Sequence, residues 1–365
     1  MKAIVLAGGY ATRLRPITYV LPKLLFPVLG KPMIFWTLDL LKKVGVEEVV
    51  LGVNYLADLL RNEVGSNYEG IEIKYSLERS PLGTAGPMKL ASEATRFGET
   101  FFAMNGDVIA DIDLNMMLAR HAQSGALVTD ALYEVKDPTR FGVVQLDKQG
   151  RIQRFIEKPT AKKAPSHLIN AGIYVIEPQV LDMIPANRKV SLEREIFPLL
   201  VKDQKLMGCP FEGDWFDIGS MADYREANFS LLAKHANERR LGGRNMQVER
   251  GAIVRRPVFL GEGSKVRSKA AIGPRLIGGK DVFFGERARV SNSILFDNVM
   301  IGEDSVVAGS VLASGVSIGK RAKIEAGAVV SPNVKVGDGV RIGRNAIVHP
   351  YKEIESNIRP GSHVM

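Results

Sequence analysis

Apolar residues follow two different periods along this chain. Over residues 1–235 short apolar runs alternate with helix-patterned stretches. Ile4 to Leu6 ends in Gly8-Gly9 and reads as a buried strand entering a loop. Pro32 opens a helical stretch through Val44, closed by Gly45. Further strands are predicted at Val49 to Val53, Phe101 to Met104, Leu127 to Tyr133, Val143 to Leu146, Ile152 to Ile156 and Ile173 to Ile176. This alternation predicts an α/β domain with a mostly parallel sheet flanked by helices. Ligands on such sheets sit in loops at the carboxyl ends of the strands.

Residues 246–350 keep a period of six. Ile318, Ile324, Val330, Val336, Ile342 and Val348 are all β-branched, and two residues before each stand Val316, Ala322, Ala328, Val334, Val340 and Ala346. Val254, Leu260, Val266 and Ile272 keep the same register upstream, with companions Ala252, Val258, Ser264 and Ala270. The steps from Val290 to Ile301 and from Val307 to Ile318 each fall one residue short, which reads as short loop adjustments. A period of six fits a parallel β-helix, in which one aliphatic residue per flat side points inward and a small one turns the corner. Two domains follow, 1–235 and 246–350, with 236–245 and its Gly242-Gly243 as the connection.

Composition narrows the function classes. Hydrophobic residues make up 45% and charged residues 24% of 365 residues, a globular balance. No run of about 18 apolar residues is present, so no membrane span is expected. The apolar run Ala3 to Ala7 is too brief for a signal peptide. A single cysteine, Cys209, allows no internal disulfide and suits a reducing cytoplasm. Of the net charge of +9, residues 241–365 carry +8. The basic residues there are dispersed and lack interleaved aromatics, so they read as a solvated surface and not as a nucleic-acid footprint.

The chemistry-bearing segments begin with Leu6-Ala7-Gly8-Gly9-Tyr10-Ala11-Thr12-Arg13. Adjacent glycines after a strand let backbone N–H groups approach phosphate oxygens, and Arg13 and Lys23 supply cations for a polyphosphate. The spacing is neither a dinucleotide fingerprint nor a Walker loop. Asp107 follows the strand Phe101 to Met104, and Asp217 follows a later apolar segment. Either aspartate alone reads as a turn cap, whereas the two brought together have the chemistry to hold Mg²⁺.

These segments resemble the sugar-1-phosphate nucleotidylyltransferases. The opening run through Arg15-Pro16-Ile17-Thr18, then Pro22-Lys23 and Pro27-Val28-Leu29-Gly30-Lys31-Pro32-Met33, is similar to that family's signature. So are Pro81-Leu82-Gly83-Thr84-Ala85-Gly86, Asn105-Gly106-Asp107, Glu157-Lys158-Pro159, Asn170-Ala171-Gly172 and Trp215-Phe216-Asp217. The hexapeptide region is similar to that of mannose-1-phosphate guanylyltransferases. The resemblance implies a Rossmann-like nucleotidyltransferase domain followed by a left-handed parallel β-helix. It also implies an enzyme that joins a nucleoside triphosphate to a sugar-1-phosphate and releases pyrophosphate. Asp107 and Asp217 would then hold Mg²⁺, Arg13 and Lys23 would face the pyrophosphate, and Lys158 would meet the sugar phosphate. Leu6, Gly8, Gly9, Thr12 and Gly83 would contact substrate, and Glu157, Asn170, Gly172 and Gly142 would border the sugar. Ala11 and Leu24 depart from the glycine and proline common in the family, and neither change removes a charge.

Glu78 stands where thymidylyl- and uridylyltransferases commonly carry glutamine. A carboxylate offers only acceptors, which suit the adjacent N–H donors of guanine better than an imide edge. GTP is therefore the expected nucleotide, with an exposed Glu78 away from the base as the competing reading, and the resemblance implies mannose-1-phosphate as the sugar substrate. The resemblance also leaves room for a glucose-1-phosphate thymidylyl- or uridylyltransferase, and for a non-catalytic regulatory subunit of the same fold. Acyl transfer on the coil needs a histidine base, and the coil before the tail offers only His349. The flat sides of the β-helix predict a homo-oligomer.

Overall fold

The computed structural model describes residues 1–235 and 243–365; most of the expected connection, 236–245, lies outside them. The chain divides into two units. One comprises Met1–Tyr10 with Met33–Ile218, and the other Ala11–Pro32 with Gly219–Met365.

The first unit is built on a mixed sheet. At its centre Lys2–Leu6 lies parallel to Phe101–Asn105 on one side and to Glu48–Val53 on the other, and Glu48–Val53 is parallel to Ile71–Leu77. These are the strands whose apolar runs lead into helices, as a parallel crossover requires. The helix Met33–Lys43 follows the first pattern and buries Met33, Ile34, Leu38 and Leu41. Beyond Phe101–Asn105 the sheet turns antiparallel, through Leu168–Ile176, Gly142–Leu146 and Ile152–Glu157. Short connections without a crossover helix join Gly142–Leu146, Ile152–Glu157 and Leu168–Ile176, which permits this pairing. The central strands are apolar on both faces, with Ile4, Val5, Val50, Phe101, Phe102 and Ala103 fully buried.

One residue of this core breaks the polar rule. Asp130, in the strand Val128–Glu134, is fully buried, and neither of its side-chain oxygens has a hydrogen-bond partner among the described residues. Burial, and then the charge of Glu193, push its carboxyl well above the usual carboxylate range. The proton is thus held more tightly in the folded than in the unfolded chain. Stability is highest below the unfolded pKa and falls as pH rises toward the folded one, because ionisation is then favoured by unfolding. Asp130→Asn removes this titration. Its stability relative to the parent, followed by urea unfolding, is expected to rise with pH above the ordinary carboxylate range. Each unit between the two pKa values is worth about 1.4 kcal/mol. A pH-independent difference would contradict this origin.

In the second unit the chain forms a parallel β-helix of three faces. Gln247–Val248, Lys265–Val266 and five further strands form the first face, ending at Glu353–Ile354. Six strands from Ile253–Val254 to Arg341–Ile342 form the second, and seven from Val258–Leu260 to His363–Val364 the third. Every neighbouring pair is parallel and in register, so that Ile272 lies against Val290, Val290 against Val307, and Val307 against Ile324. The six-residue period is thus one face per step, and its inward residues form a continuous buried column. Both short steps fall at the same corner, between the second and third faces of two successive coils, at Ser291–Ser293 and Ala308–Ser310. Ser293 and Ser310 are fully buried there, and the Ser310 N–H donates to Ser293 Oγ at 3.2 Å.

The third face differs from the others on its outer side. Ile277, Ile294 and Val311 point outward yet are only 1% exposed. On the second face the outward row is Ile253, Ala271, Arg289, Val306, Lys323 and Arg341, none of which is buried. Ala11–Pro32 and the helix Met221–Lys234 supply packing for the third side. Phe26 meets Phe296 edge-on at 5.7 Å, Tyr224 meets both rings, and Gly30 abuts Phe259 so closely that a Cβ there would overlap the ring.

Candidate active site

The carboxyl ends of the four parallel strands bring one set of loops together. Leu6 ends its strand beside Asn105 and Gly52. The N–H of Ala7 donates to Gly52 O at 2.8 Å, and that of Gly106 to Leu6 O at 2.9 Å. Gly8 and Gly9 follow. A Cβ at Gly9 would meet nothing, whereas a Cβ at Gly8 would run into the Glu78 carboxylate. The Asn54 amide donates to Gly8 O and accepts from the Tyr55 N–H, fixing the glycine loop from the next strand. Asn54 was not anticipated; its only signal is a polar residue directly after the strand Glu48–Val53.

Glu78 is not exposed. It is 4% accessible, and its Oε2 accepts from the Leu82 N–H at 3.2 Å. Burial raises its carboxyl pKa, and the Leu82 N–H partly counters this. The competing reading of a solvated Glu78 therefore fails, and the carboxylate lies directly against the glycine loop. Gly83 lies on the same segment with φ +81, and a Cβ there would overlap the Val190 carbonyl. Backbone approach and a left-handed conformation together require glycine at this position.

Asp107 and Asp217 come together by backbone pairing. Val108–Ala110 and Trp215–Asp217 form a two-stranded antiparallel ribbon in which Asp217 lies opposite Val108, and the Ile218 N–H donates to Asp107 O at 3.1 Å. Two aspartates 110 residues apart in sequence are thus neighbours, close to Asn105 at the end of the strand Phe101–Asn105.

The antiparallel flank carries the rest. Gly142 pairs with Glu157, and Val143 with Ile169, so Asn170 continues the same row. A Cβ at Gly142 would stand 3.1 Å from Glu157 Oε2. Lys158 is exposed, its N–H donates to Phe141 O at 2.9 Å, and its Nζ lies 3.4 Å from Glu157 Oε1. The pairing of Leu168–Ile176 with Val128–Glu134 is interrupted between Asn170 and Tyr174. There the Asn170 amide donates to Tyr174 Oη at 2.8 Å and accepts from the Gly172 N–H at 2.7 Å. Each end of that amide keeps capacity for one further bond. Gly172 has φ +75, and a Cβ would strike the Asn105 side chain. Trp215 Nε1 donates to Ala171 O at 3.0 Å, tying the aspartate ribbon to this turn.

Thr12, Arg13 and Lys23 belong to the second unit. Thr12 and Arg13 are exposed on one turn, Thr12–Leu14, anchored by buried Leu14. A Cβ at Gly219 would stand 2.8 Å from an Arg13 guanidinium nitrogen. Ala11 has φ 44 and ψ 46, a left-handed conformation in which glycine is unstrained, which explains why glycine is frequent here in the family it resembles. The buried Thr18 hydroxyl donates to Ala11 O at 3.1 Å and holds that turn. Lys23 opens the turn Lys23–Leu25 and is half-buried.

Comparison with known proteins places this geometry in a family. The Nucleotidyl transferase profile matches residues 2–234, and that of the GMPPB C-terminal domain matches residues 254–364. Mannose-1-phosphate guanylyltransferase 1 of Arabidopsis thaliana is 35% identical over 333 residues, 89% of each chain. Mannose-1-phosphate guanyltransferase of Candida albicans is 34% identical over 338 residues, again 89% of each. A crystal structure from Bacillus anthracis described as a "Putative Glucose-1-Phosphate Thymidylyltransferase" superposes with a TM-score of 0.58 at 27% identity, covering 66% of this chain and 98% of that one. No helix among the described residues is long and apolar enough to cross a membrane. A glycine loop, a buried glutamate and a paired-aspartate ribbon after the carboxyl ends of the parallel strands, within a family profile covering 2–234, make this chain an enzyme of the nucleotidyl transferase family.

Proposed function

We propose that this chain transfers GMP from GTP to mannose-1-phosphate, forming GDP-mannose and pyrophosphate. The observation that carries the reading is the ribbon that joins Asp107 to Asp217 beside the Gly8-Gly9 strand end. The names of relatives matched over 89% of the chain support the substrate pair.

A sugar-phosphate oxygen forms a bond to the α-phosphorus while the bond from that phosphorus to the bridging oxygen breaks. Pyrophosphate leaves with the electron pair. The attacking phosphate is already anionic near neutral pH, so no general base is needed, and positioning with charge neutralisation does the work. Two carboxylates, completed by substrate phosphate oxygens, fit the oxygen preference of Mg²⁺. Asp107 and Asp217 would hold that ion, which when bound neutralises phosphate charge. Gly8 and Gly9 offer backbone N–H groups to the triphosphate, and Leu6 and Thr12 border it. Arg13 and Lys23 are the cations we assign to the departing pyrophosphate. Lys158 binds the sugar phosphate, and Glu157, Asn170, Gly172 and Gly142 form the sugar side. The setting is a reducing cytoplasm, and the coil is the surface for self-association.

Glu78 is assigned to guanine, with Gly83 beside it. Glu78→Gln keeps the packing over Gly8 but exchanges one acceptor for a donor. The ratio of kcat/KM for GTP to that for UTP or dTTP should fall by about tenfold or more, equivalent to about 1.4 kcal/mol. An unchanged ratio removes Glu78 from base selection. Similarity to the Bacillus anthracis structure favours a second reading, thymidylyl transfer to glucose-1-phosphate. Pyrophosphate release across GTP, dTTP, UTP, ATP and CTP, each with mannose-, glucose- and N-acetylglucosamine-1-phosphate, separates the two. Preference for GTP with mannose-1-phosphate supports the proposal, and preference for dTTP or UTP replaces it.

A further inference from the structure

The second unit contains a groove unrelated to the residues assigned above. It has a volume of about 570 Å³ and lies between the helix Met221–Lys234 and one corner of the coil. That corner is stacked through successive coils: the Leu276 N–H donates to Pro257 O, the Asn292 N–H to Pro274 O at 2.9 Å, and the Gly309 N–H to Ser291 O at 3.0 Å. Pro257, Arg275 and Asn292 therefore line the groove from three consecutive levels, opposite Arg225 and Phe229 of the helix.

Two guanidinium groups share this space. Arg275 lies over the Phe229 ring, 4.6 Å from its centre. Arg225 reaches the next coil, with a nitrogen 3.9 Å from where a Cβ of Gly309 would stand. Neither arginine has an ion-pair or hydrogen-bond partner among the described residues; Glu226 lies on the rim and bridges to neither. Arg225 is partly desolvated, and burial together with the charge of Arg275 lowers its pKa. Two like charges in one concave site, one of them partly buried, are unfavourable unless an anion joins them. The Asn292 amide adds a neutral donor, and planar guanidinium groups match phosphate geometry.

We infer that the groove between Arg225 and Arg275 is a second anion site, which binds a phosphate-bearing small molecule through both guanidinium groups and Asn292. Free phosphate and the phosphates of a nucleotide share this chemistry. The test is thermal unfolding of the full chain titrated with orthophosphate, pyrophosphate or GDP at constant ionic strength. The background is Arg13→Gln/Lys23→Gln, which suppresses binding at the proposed active site. At least one of the three ligands should give a saturable rise in Tm. Adding Arg225→Gln/Arg275→Gln should abolish that rise without lowering the ligand-free Tm, because a repulsion has been removed. Saturation by GDP alone assigns a nucleotide; saturation by orthophosphate assigns a free anion. If the double variant does not fold, Arg225→Lys keeps the charge but not the fork and should weaken binding at least fivefold. No saturable rise with any ligand, or a rise unaffected by the Arg225 and Arg275 changes, overturns the inference.

Discussion

Asp217→Asn is expected to lower kcat/KM for nucleotidyl transfer by about a thousandfold, and Asp107→Asn by a similar factor. The ribbon that sets these residues side by side is made by backbone pairing and by the Ile218 N–H donated to Asp107 O, none of which needs a carboxylate. Asparagine is nearly the same size, so the fold and Tm should stay close to those of the parent. Under the proposed function what is lost is negative charge for an ion that would neutralise the phosphates, an effect of several kcal/mol, and about 4 kcal/mol corresponds to the thousandfold fall. The Mg²⁺ concentration for half-maximal rate should rise in both single variants. The double variant should be little worse than either one, because groups acting as a unit are not additive. A single variant that retains more than about a tenth of parent activity would remove its aspartate from the ion site.

Phe296→Ala should be the most damaging single truncation in the coil. Phe296 is 1% exposed and meets two rings from distant parts of the chain, Phe26 at 5.7 Å and Tyr224 at 6.1 Å, which also meet each other at 5.6 Å. The triad ties Ala11–Pro32, the helix Met221–Lys234 and the third face of the coil to one another. Truncating a buried phenylalanine costs about 3–5 kcal/mol. Urea unfolding of the second unit should register that loss. If Arg13 and Lys23 have the roles proposed for them, turnover should fall as well, because both lie on that segment. A cost below about 1 kcal/mol would show that other contacts hold the segment.

The coil was legible in the sequence because its constraint is local and repeated. Each inward position, from Val266 to Ile354, meets the same environment one step later. The two short steps were visible as slips, but only the structure assigns both to one corner, where buried Ser293 and Ser310 replace a longer turn. Three of the four parallel strands and those of the antiparallel flank were legible from their apolar runs; Ile71–Leu77, with its interspersed polar residues, was not, and neither was the direction of the flank, since a strand's apolar pattern does not name its neighbour. Packing of Ala11–Pro32 with the coil was missed. Residue type alone did not mark it, since the outward row of the second face also carries Ile253, Ala271 and Val306; only burial sets Ile277, Ile294 and Val311 of the third face apart.

The glycine loop and the aspartates were visible as motifs, because backbone approach to phosphate and paired oxygen ligands restrict the residue types allowed. Their supports were not. Asn54 and Trp215 each donate to a backbone carbonyl distant in sequence, Gly8 O and Ala171 O, and nothing in their sequence neighbourhood specifies either partner. Burial of Glu78 was equally hidden, since it follows from Gly8 lacking a side chain 70 residues earlier.

The most direct test of the account follows label from mannose-1-phosphate into product in the presence of GTP and Mg²⁺, with pyrophosphate measured in the same reaction. The account predicts labelled GDP-mannose and pyrophosphate in equal amounts, with neither formed when the sugar phosphate is omitted. Pyrophosphate released at the same rate without sugar phosphate, or no labelled nucleotide sugar at any enzyme concentration, would contradict it.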